Sequence, residues 1–218
     1  MNHTVRFLIV DDHPLFRQGL VSVIENVRSY KVAAQATTIA EALTLLEQVQ
    51  VQMALIDISL QQENGLELVK TLKATRPEIQ CIVVSMYDEI IYASSALKAG
   101  ARGYIMKQEA ASSLLDAIAL VLKGKVYLSP PMRERMLDTL LQPEANDEIE
   151  AVKLLSLREM EVLRLLGQGF GVSEIGQTLN LSVKTINVYR DNIRHKLSIS
   201  DAGALRKFAI KWVKSNER

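Results

Sequence analysis

The segment Phe7-Leu8-Ile9-Val10-Asp11-Asp12 is the clearest indication of fold in this chain. Four consecutive apolar residues that end in two carboxylates are typical of a strand that is buried on both faces and ends at the surface. Similar apolar runs recur at regular spacing through the first half of the chain. They are Val32 to Ala36, Met53 to Ile56, Cys81 to Val84 and Gly103 to Met106.

The segments between these runs predict helices, because their apolar residues lie three and four positions apart. They cover Leu15 to Glu25, Ile39 to Val49, Gly65 to Thr75, Ile91 to Ala99 and Ala111 to Leu122. Parallel strands need crossover helices, so a fivefold alternation predicts an α/β fold with a parallel sheet covered on both faces. A ligand crevice is then expected at the carboxyl ends of the strands.

Length and composition predict two globular domains, since domains typically have roughly 100 to 150 residues and the chain has 218. With 48% hydrophobic and 23% charged residues, it is neither a disordered nor a fibrous protein. The apolar runs are too short for a membrane span and the N-terminus lacks the layout of a signal peptide, so we expect a cytoplasmic protein. The single cysteine, Cys81, lies in an apolar run and is expected to be buried.

A domain boundary is predicted after Lys123-Gly124, where the strand and helix alternation stops. Pro130-Pro131 precede a further helix predicted over Met132 to Leu141, and the polar, acidic residues 142–150 predict a linker. We therefore predict a first domain over residues 1–125, a linker with a short helix over 126–150 and a helical domain over 151–218. Residues 150–218 hold 12 basic and 7 acidic residues, the balance expected of a surface that meets nucleic-acid phosphates.

Carboxylates follow two of the predicted strands. Asp11 and Asp12 end the first strand and Asp57 ends the third, while Ser85 and Lys107 end the fourth and fifth. Carboxylate oxygens at one sheet edge suit Mg²⁺. A carboxylate nucleophile, a metal, a hydroxyl and an ammonium together match the requirements of phosphoryl transfer.

The first 125 residues or so resemble the receiver domain of two-component response regulators. The matching motifs are Val10-Asp11-Asp12-His13, Leu55-Ile56-Asp57 with Gly65 eight positions later, Val84-Ser85, and Gly100 to Lys107. The resemblance implies a flavodoxin-like, doubly wound sheet and a sensor histidine kinase that phosphorylates Asp57. It further implies a Mg²⁺ site of Asp11, Asp12, Asp57 and the Ser59 carbonyl, phosphoryl contacts from Ser85 and Lys107, and an aromatic switch at Tyr104.

Two positions depart from the receiver pattern. Leu60-Gln61 replaces the usual Met-Pro after the phosphoacceptor, and Met86 stands where the family mostly has a small residue. We expect Met86 to crowd the mouth of the pocket, which leaves the lifetime of the phosphorylated state open.

The last part of the chain predicts a helix-turn-helix. Ser156-Leu-Arg-Glu159 is a capping box that starts one helix, and Gly167-Gln168-Gly169 ends it. A second, short helix opens at Gly171 or Ser173, and Ser182 caps a third helix, Val183 to Leu197. Two helices joined by a tight turn, the second flanked by basic residues, are typical of DNA-binding proteins.

The third helix is the predicted DNA-reading helix. Its outer face holds Asn187, which can pair with adenine, Val188, which can contact a thymine methyl, and Asp191, which can accept from cytosine. Phosphate contacts are predicted for Lys184, Arg190, Arg194 and Lys196. Ser182 and Thr185, at the start of the helix, complete the predicted DNA-binding set.

The segment from Leu157 to Leu197 resembles the LuxR-type DNA-binding domain, and with the receiver it indicates the NarL/FixJ class of response regulators. The resemblance implies a transcription regulator that binds double-stranded promoter DNA as a homodimer. The family's dimer helix corresponds to a stripe on the last helix, Leu205, Phe208, Ala209 and Trp212. The same stripe could instead pack on its own domain, as in any amphipathic helix.

Two other functions stay open on the sequence alone. The acidic pocket could hydrolyse phosphate esters, which would need a proton donor, and only His13 lies nearby. Alternatively, the protein could be a regulator gated by a partner without phosphorylation. The complete set of Asp12, Asp57, Ser85 and Lys107 argues against that alternative.

Overall fold

A computed structural model describes residues 4–60, 63–87, 89–141, 152 and 154–216. The chain divides into two compact units, Met1–Met136 and Leu137–Arg218. Where the linker was predicted, the structure has a helix over Pro130–Leu141, and the acidic residues 142–150 lie outside the described residues. Within the described part of the chain, no helix has the length and hydropathy needed to cross a membrane.

The first unit contains a parallel sheet of five strands, which are β1 (Val5–Val10), β2 (Tyr30–Ala36), β3 (Met53–Ile56), β6 (Gln80–Ser85) and β7 (Gly103–Met106). Their order in the sheet is β2-β1-β3-β6-β7. A short antiparallel pair, β4 (Ser59–Leu60) and β5 (Glu63–Asn64), follows β3. The predicted α/β fold with a five-stranded parallel sheet is confirmed.

Helices connect the strands as the apolar spacing predicted. They are α1 (Pro14–Glu25), α2 (Ile39–Gln48), α3 (Gly65–Thr75), α4 (Glu89–Ala99) and α5 (Ala110–Leu122). Thr38 caps α2 by accepting the N–H of Glu41, and Asn64 caps α3 by accepting that of Leu66. These caps satisfy helix N–H groups that have no intrahelical partner.

Four of the five strands are mostly buried because helices cover both faces, whereas the edge strand β2 is buried only at Ala36. Phe7 to Val10 of β1 are fully buried, and Cys81 of β6 is buried as predicted. One edge has an addition that the sequence pattern did not predict: Tyr127 pairs with Gly103 of β7. A single bridge has no alternation of its own, so no periodicity indicates it.

The boundary between the two units falls within α6 (Pro130–Leu141). The second unit is helical, and its further helices are α7 (Leu157–Gly167), α8 (Val172–Leu179), α9 (Val183–Lys196) and α10 (Ala202–Asn216). Both hydrogen bonds of the predicted capping box form between Ser156 and Glu159. A Cβ atom on Gly167 would come closer than 3.0 Å to the backbone oxygen of Ala209. The close packing of α7 on α10 therefore depends on this glycine.

Candidate phosphoryl-acceptor pocket and nucleic-acid interface

Three carboxylates meet at the carboxyl edge of the sheet. Asp11 follows β1 and Asp57 follows β3, and they are only 1% and 2% exposed. Ligand atoms of Asp11, Asp12, His13 and Asp57 all lie within 4.8 Å of one another. The structure thus brings together the acidic residues that the sequence placed at separate strand ends.

Lys107 provides a buried positive charge between two of these carboxylates. Its Nζ lies 2.7 Å from Asp57 Oδ2 and 2.8 Å from Asp11 Oδ2, and its side chain is 4% exposed. The ammonium also lies 4.6 Å from the centroid of the Phe16 ring. A buried ammonium is tolerated because it is paired with opposite charges.

Asp57 lies in an environment that disfavours its negative charge. Burial raises the pKa of this carboxyl, Lys107 acts in the opposite direction, and Asp11 raises it further, so the pKa lies above its ordinary value. The N–H of Ser59 donates to Asp57 Oδ1 at 3.2 Å. A further cation beside Asp57 would favour the ionised carboxylate that a nucleophile requires.

The donor set of this pocket fits a hard divalent cation. Three carboxylates face one ammonium, so the cluster has excess negative charge, and oxygen ligands are those that Mg²⁺ prefers. His13 Nδ1 also approaches the cluster, at 2.8 Å from Asp12 Oδ1. The carbonyl of Ser59 stays a predicted ligand, since the contact given for Ser59 is through its N–H.

Ser85 is the last residue of β6 and Tyr104 lies within β7, and both side chains are fully buried. The N–H of Tyr87 donates to Ser85 Oγ at 3.3 Å, and the Tyr104 hydroxyl donates to the carbonyl of Tyr87 at 2.9 Å. The predicted switch tyrosine therefore points inward in this structure. Met86, between Ser85 and Tyr87, is 59% exposed, and its effect on the pocket stays a prediction.

Gly65 has a steric role in the pocket that its place in the motif did not reveal. A Cβ atom at this position would come closer than 3.0 Å to the backbone oxygen of Asp57. The Gly65 N–H also donates to the carbonyl of Ile58 at 2.8 Å. The start of α3 therefore packs directly on the Asp57 backbone and limits how that residue can move.

The helix-turn-helix forms between α8 and α9. Asn180 takes the left-handed conformation, with φ 53°, that ends α8, and the N–H of Leu181 returns to the carbonyl of Gly176 at 2.7 Å. Ser182 then caps α9 by accepting the N–H of Thr185 at 3.0 Å. Ser182 and Thr185 are thus joined at the start of the predicted reading helix.

The predicted base-reading residues lie on the surface of α9. Lys184, Asn187, Val188 and Asp191 are exposed. Two predicted phosphate contacts bond to this same face: Arg190 Nη1 donates to Asn187 Oδ1 at 2.8 Å, and Arg194 Nη1 donates to Asp191 Oδ1 at 3.1 Å. The exposed face therefore joins polar groups suited to bases with guanidinium groups suited to phosphates.

Lys196, another predicted phosphate contact, has a partner inside the domain. Its Nζ donates to Glu159 Oε2 of α7 at 2.6 Å. Burial of Glu159 would raise its pKa, but hydrogen bonds from Lys196 and Ser156 outweigh burial and hold the pKa below its ordinary value. The sequence identified Glu159 only as a capping residue, because no local pattern links positions 37 residues apart.

The predicted dimer stripe on α10 faces mainly into its own unit. Leu205, Ala209 and Trp212 are buried, whereas Phe208 is partly exposed. The stripe therefore contributes to the core of the second unit. A dimer contact through this helix stays a prediction, with Phe208 as the accessible member.

Comparisons with known proteins agree with this arrangement. The family model described as response regulator receiver domain matches residues 7–119, and that described as bacterial regulatory proteins, luxR family, matches residues 153–208. The response regulator GacA of Pseudomonas viridiflava is 31% identical over 207 residues, which cover 95% of this chain and 96% of GacA. The transcriptional regulatory protein DegU of Brevibacillus brevis is 29% identical over 225 residues, which cover 96% of this chain and 95% of DegU.

A solved structure is similar over nearly the whole length. RcsB from Salmonella enterica serovar Typhimurium, bound to promoter rprA in the presence of the phosphomimetic BeF₃⁻, matches with a TM-score of 0.60 and 27% identity, covering 95% of this chain and 98% of RcsB. The family is one of DNA-binding transcription regulators and not of enzymes. The chain belongs to the response regulators of the NarL/FixJ class, in which a receiver domain is combined with a LuxR-type DNA-binding domain.

Proposed function

We propose that Asp57 accepts a phosphoryl group from a sensor histidine kinase and that the modified protein binds promoter DNA as a dimer in the cytoplasm. The observation that supports this is the buried Asp57 carboxylate, 2.7 Å from Lys107 Nζ and next to Asp11. An acceptor oxygen and a buried cation are in place before any donor binds. Electrostatic preorganisation of this kind is the main requirement of phosphoryl transfer.

The transfer exchanges one bond for another. A carboxylate oxygen of Asp57 attacks phosphorus, a P–O bond forms, and the P–N bond to the kinase histidine breaks, with the electron pair returning to the imidazole. The Lys107 ammonium, which pairs with Asp57 Oδ2, would then pair with a phosphoryl oxygen, and the Ser85 hydroxyl would donate to another. Asp11, Asp12, Asp57 and the Ser59 carbonyl would hold Mg²⁺, which supplies charge neutralisation to the transferred group.

In the second unit, α9 would enter the major groove. The exposed side chains of Asn187, Val188 and Asp191 would read bases, and Lys184, Arg190 and Arg194 would contact phosphates. Dimeric binding is supported by the solved structure of two RcsB dimers bound to two parallel DNAs, to which this chain is 27% identical with a TM-score of 0.58.

Phosphotransfer from an autophosphorylated histidine kinase domain tests the proposal. With Mg²⁺, the chain should gain one acid-stable, hydroxylamine-labile phosphoryl group, and Asp57→Asn should gain none. Asp12→Asn should lose Mg²⁺ affinity, because one carboxylate ligand is removed. Full labelling of Asp57→Asn would show that the acceptor lies elsewhere.

A further inference from the structure

Glu89 is a buried carboxylate with no role in the chemistry described above. It is 4% exposed and is the first residue of α4. Its Oε1 accepts the backbone N–H of Ser129 at 2.9 Å, 40 positions later in the chain. Burying a carboxylate costs free energy unless hydrogen bonds compensate, so this bond is one that the folded receiver must maintain or replace.

Ser129 is the residue at which the connection toward the DNA-binding domain begins. It directly precedes α6, and its Oγ accepts the N–H of Met132 at 3.3 Å in the manner of an N-cap. A negative charge at this position also favours the start of a helix. Glu89 therefore fixes the point where α6 leaves the receiver.

Neighbouring residues hold the same segment to the receiver. Leu128 and Met132 are buried. The N–H of Tyr127 donates to the carbonyl of Arg102, just before β7, at 2.9 Å, and its carbonyl accepts the N–H of Tyr104 in β7 at 3.2 Å. The segment before α6 is thus part of the receiver and not a free tether. A displacement of the receiver at Glu89 would be passed to α6.

The residues just before Glu89 in the chain connect it to the phosphorylation pocket. Two positions earlier, Tyr87 donates its N–H to Ser85 Oγ and accepts the hydroxyl of Tyr104 with its carbonyl. A Ser85 hydroxyl that turns toward a phosphoryl group changes its bond with Tyr87. The Tyr87 backbone is therefore in contact with both proposed responders to phosphorylation, two positions before Glu89.

We propose that Glu89 is the positioning residue that couples the phosphorylation state of Asp57 to the start of α6, and so to DNA affinity. The proposal rests on the proposed function, because it requires a DNA affinity that changes with phosphorylation. Coupling of this kind is a free energy by which phosphorylation at Asp57 changes the affinity for DNA. It disappears when the contact that connects the two sites is the same in the phosphorylated and unphosphorylated states.

The experiment measures the affinity of the full chain for a selected operator with and without beryllofluoride, which mimics the phosphoryl group on Asp57. The variants are Glu89→Ala, Glu89→Gln, which keeps an acceptor oxygen and the shape, and the exposed control Glu47→Gln. Hydrogen exchange at the Ser129 and Met132 amides reports whether the contact has opened.

In wild type and in the Glu47→Gln control, beryllofluoride should raise DNA affinity. In Glu89→Ala the ratio of affinities with and without beryllofluoride should fall close to one, the Ser129 amide should exchange faster, and beryllofluoride should still bind. Glu89→Gln should fold and keep an intermediate ratio. If both Glu89 variants keep the wild-type ratio, Glu89 does not couple the two sites. If wild type itself shows no response, or Asp57→Asn responds equally, the proposed function fails, and this proposal fails with it.

Discussion

Lys196 Nζ, at the end of α9, lies 2.6 Å from Glu159 Oε2, at the start of α7. The same carboxylate oxygen accepts the N–H of Ser156 at 2.6 Å, in the capping box that begins α7. One buried carboxylate thus joins the end of the predicted reading helix to the start of another helix. Lys196 therefore contributes to the geometry of the domain, whatever it contributes to DNA binding.

Replacing Lys196 by alanine should separate these two roles. We expect Lys196→Ala to lower the free energy of unfolding of the second unit by about 1 kcal/mol, a value kept small because the side chain is 37% exposed. Trp212 is the only tryptophan and is buried in this unit, so its fluorescence during urea unfolding reports the change. If the ammonium is committed to Glu159, the salt dependence of DNA binding should not change.

Lys184→Ala is the matched control, because Lys184 is exposed on the same helix. Removal of one phosphate contact should reduce the slope of log K against log salt by about one unit. A reduced slope in Lys196→Ala with unchanged stability would mean that Lys196 releases Glu159 and binds phosphate.

Glu159 should also make the second unit sensitive to acid. Its pKa is lowered in the folded state, so the stability it contributes is complete above the pKa of the unfolded chain and is lost as the pH falls through the folded pKa. The free energy of unfolding, measured in urea through Trp212 fluorescence, should fall over this acidic range in wild type. It should fall less in Glu159→Gln. If the free energy of unfolding falls equally with pH in wild type and in Glu159→Gln, ionisation of Glu159 does not stabilise the second unit.

The sequence allowed prediction of features with local signals. Continuous apolar runs predicted the strands, apolar residues three and four positions apart predicted the helices, and α3 has the predicted bounds Gly65–Thr75. The helix start at Glu89 was placed two residues late, at Ile91, because only the apolar period marked it. The predicted strand ends also placed Asp11 and Asp57 at one edge of the sheet, where the structure brings them together.

Contacts between distant residues were not predictable in the same way. Nothing local to Lys196 indicates Glu159, and nothing local to Ser129 indicates Glu89, because both bonds depend on how helices pack. The alternative that the α10 stripe packs on its own unit agrees with the burial of Leu205. A buried position and an interface position have the same apolar signature in a sequence.

Gly65→Ala should destabilise the receiver. The added Cβ meets the Asp57 backbone, and overpacking of this kind costs about 1 to 3 kcal/mol. Cys81 provides the measurement, because burial raises its pKa to about 12 and only an opened receiver should react with a thiol reagent at neutral pH. Labelling should be faster by roughly five- to a hundredfold, since about 1.4 kcal/mol corresponds to a factor of ten.

Gly19→Ala is the control for this substitution. Gly19 lies within α1, and a Cβ there would meet nothing within 4 Å. Alanine in a helix is favoured over glycine by about 0.5 to 1 kcal/mol, so Cys81 labelling should be slower in this variant. Equal labelling rates in the two alanine variants would show that the contact with Asp57 is easily relieved.

Lys107→Ala should make the receiver depend on a divalent cation. Removing the ammonium leaves Asp11 and Asp57 buried without it, a loss that typically costs about 3 to 5 kcal/mol. Added Mg²⁺ should restore stability more in this variant than in wild type, because the cation replaces the missing charge. Lys70→Ala, which removes an exposed lysine paired with Glu67, should change neither the stability of the receiver nor its response to Mg²⁺. A Lys107→Ala receiver that stays as stable as wild type without Mg²⁺ would contradict the electrostatic role assigned to Lys107.

Asn187→Ala should change sequence preference and leave nonspecific binding nearly intact. Asn187 is exposed on α9, and Arg190 Nη1 holds its Oδ1 at 2.8 Å, which orients the amide before DNA arrives. Loss of a base-edge contact should cost about 1 to 3 kcal/mol on a selected operator and little on scrambled DNA. Asn192→Ala, on the same helix but outside the predicted reading set, should leave both affinities unchanged. Because phosphate contacts do not distinguish sequences, an Asn187→Ala variant that weakens both DNAs equally would mean that α9 presents a different face to the groove.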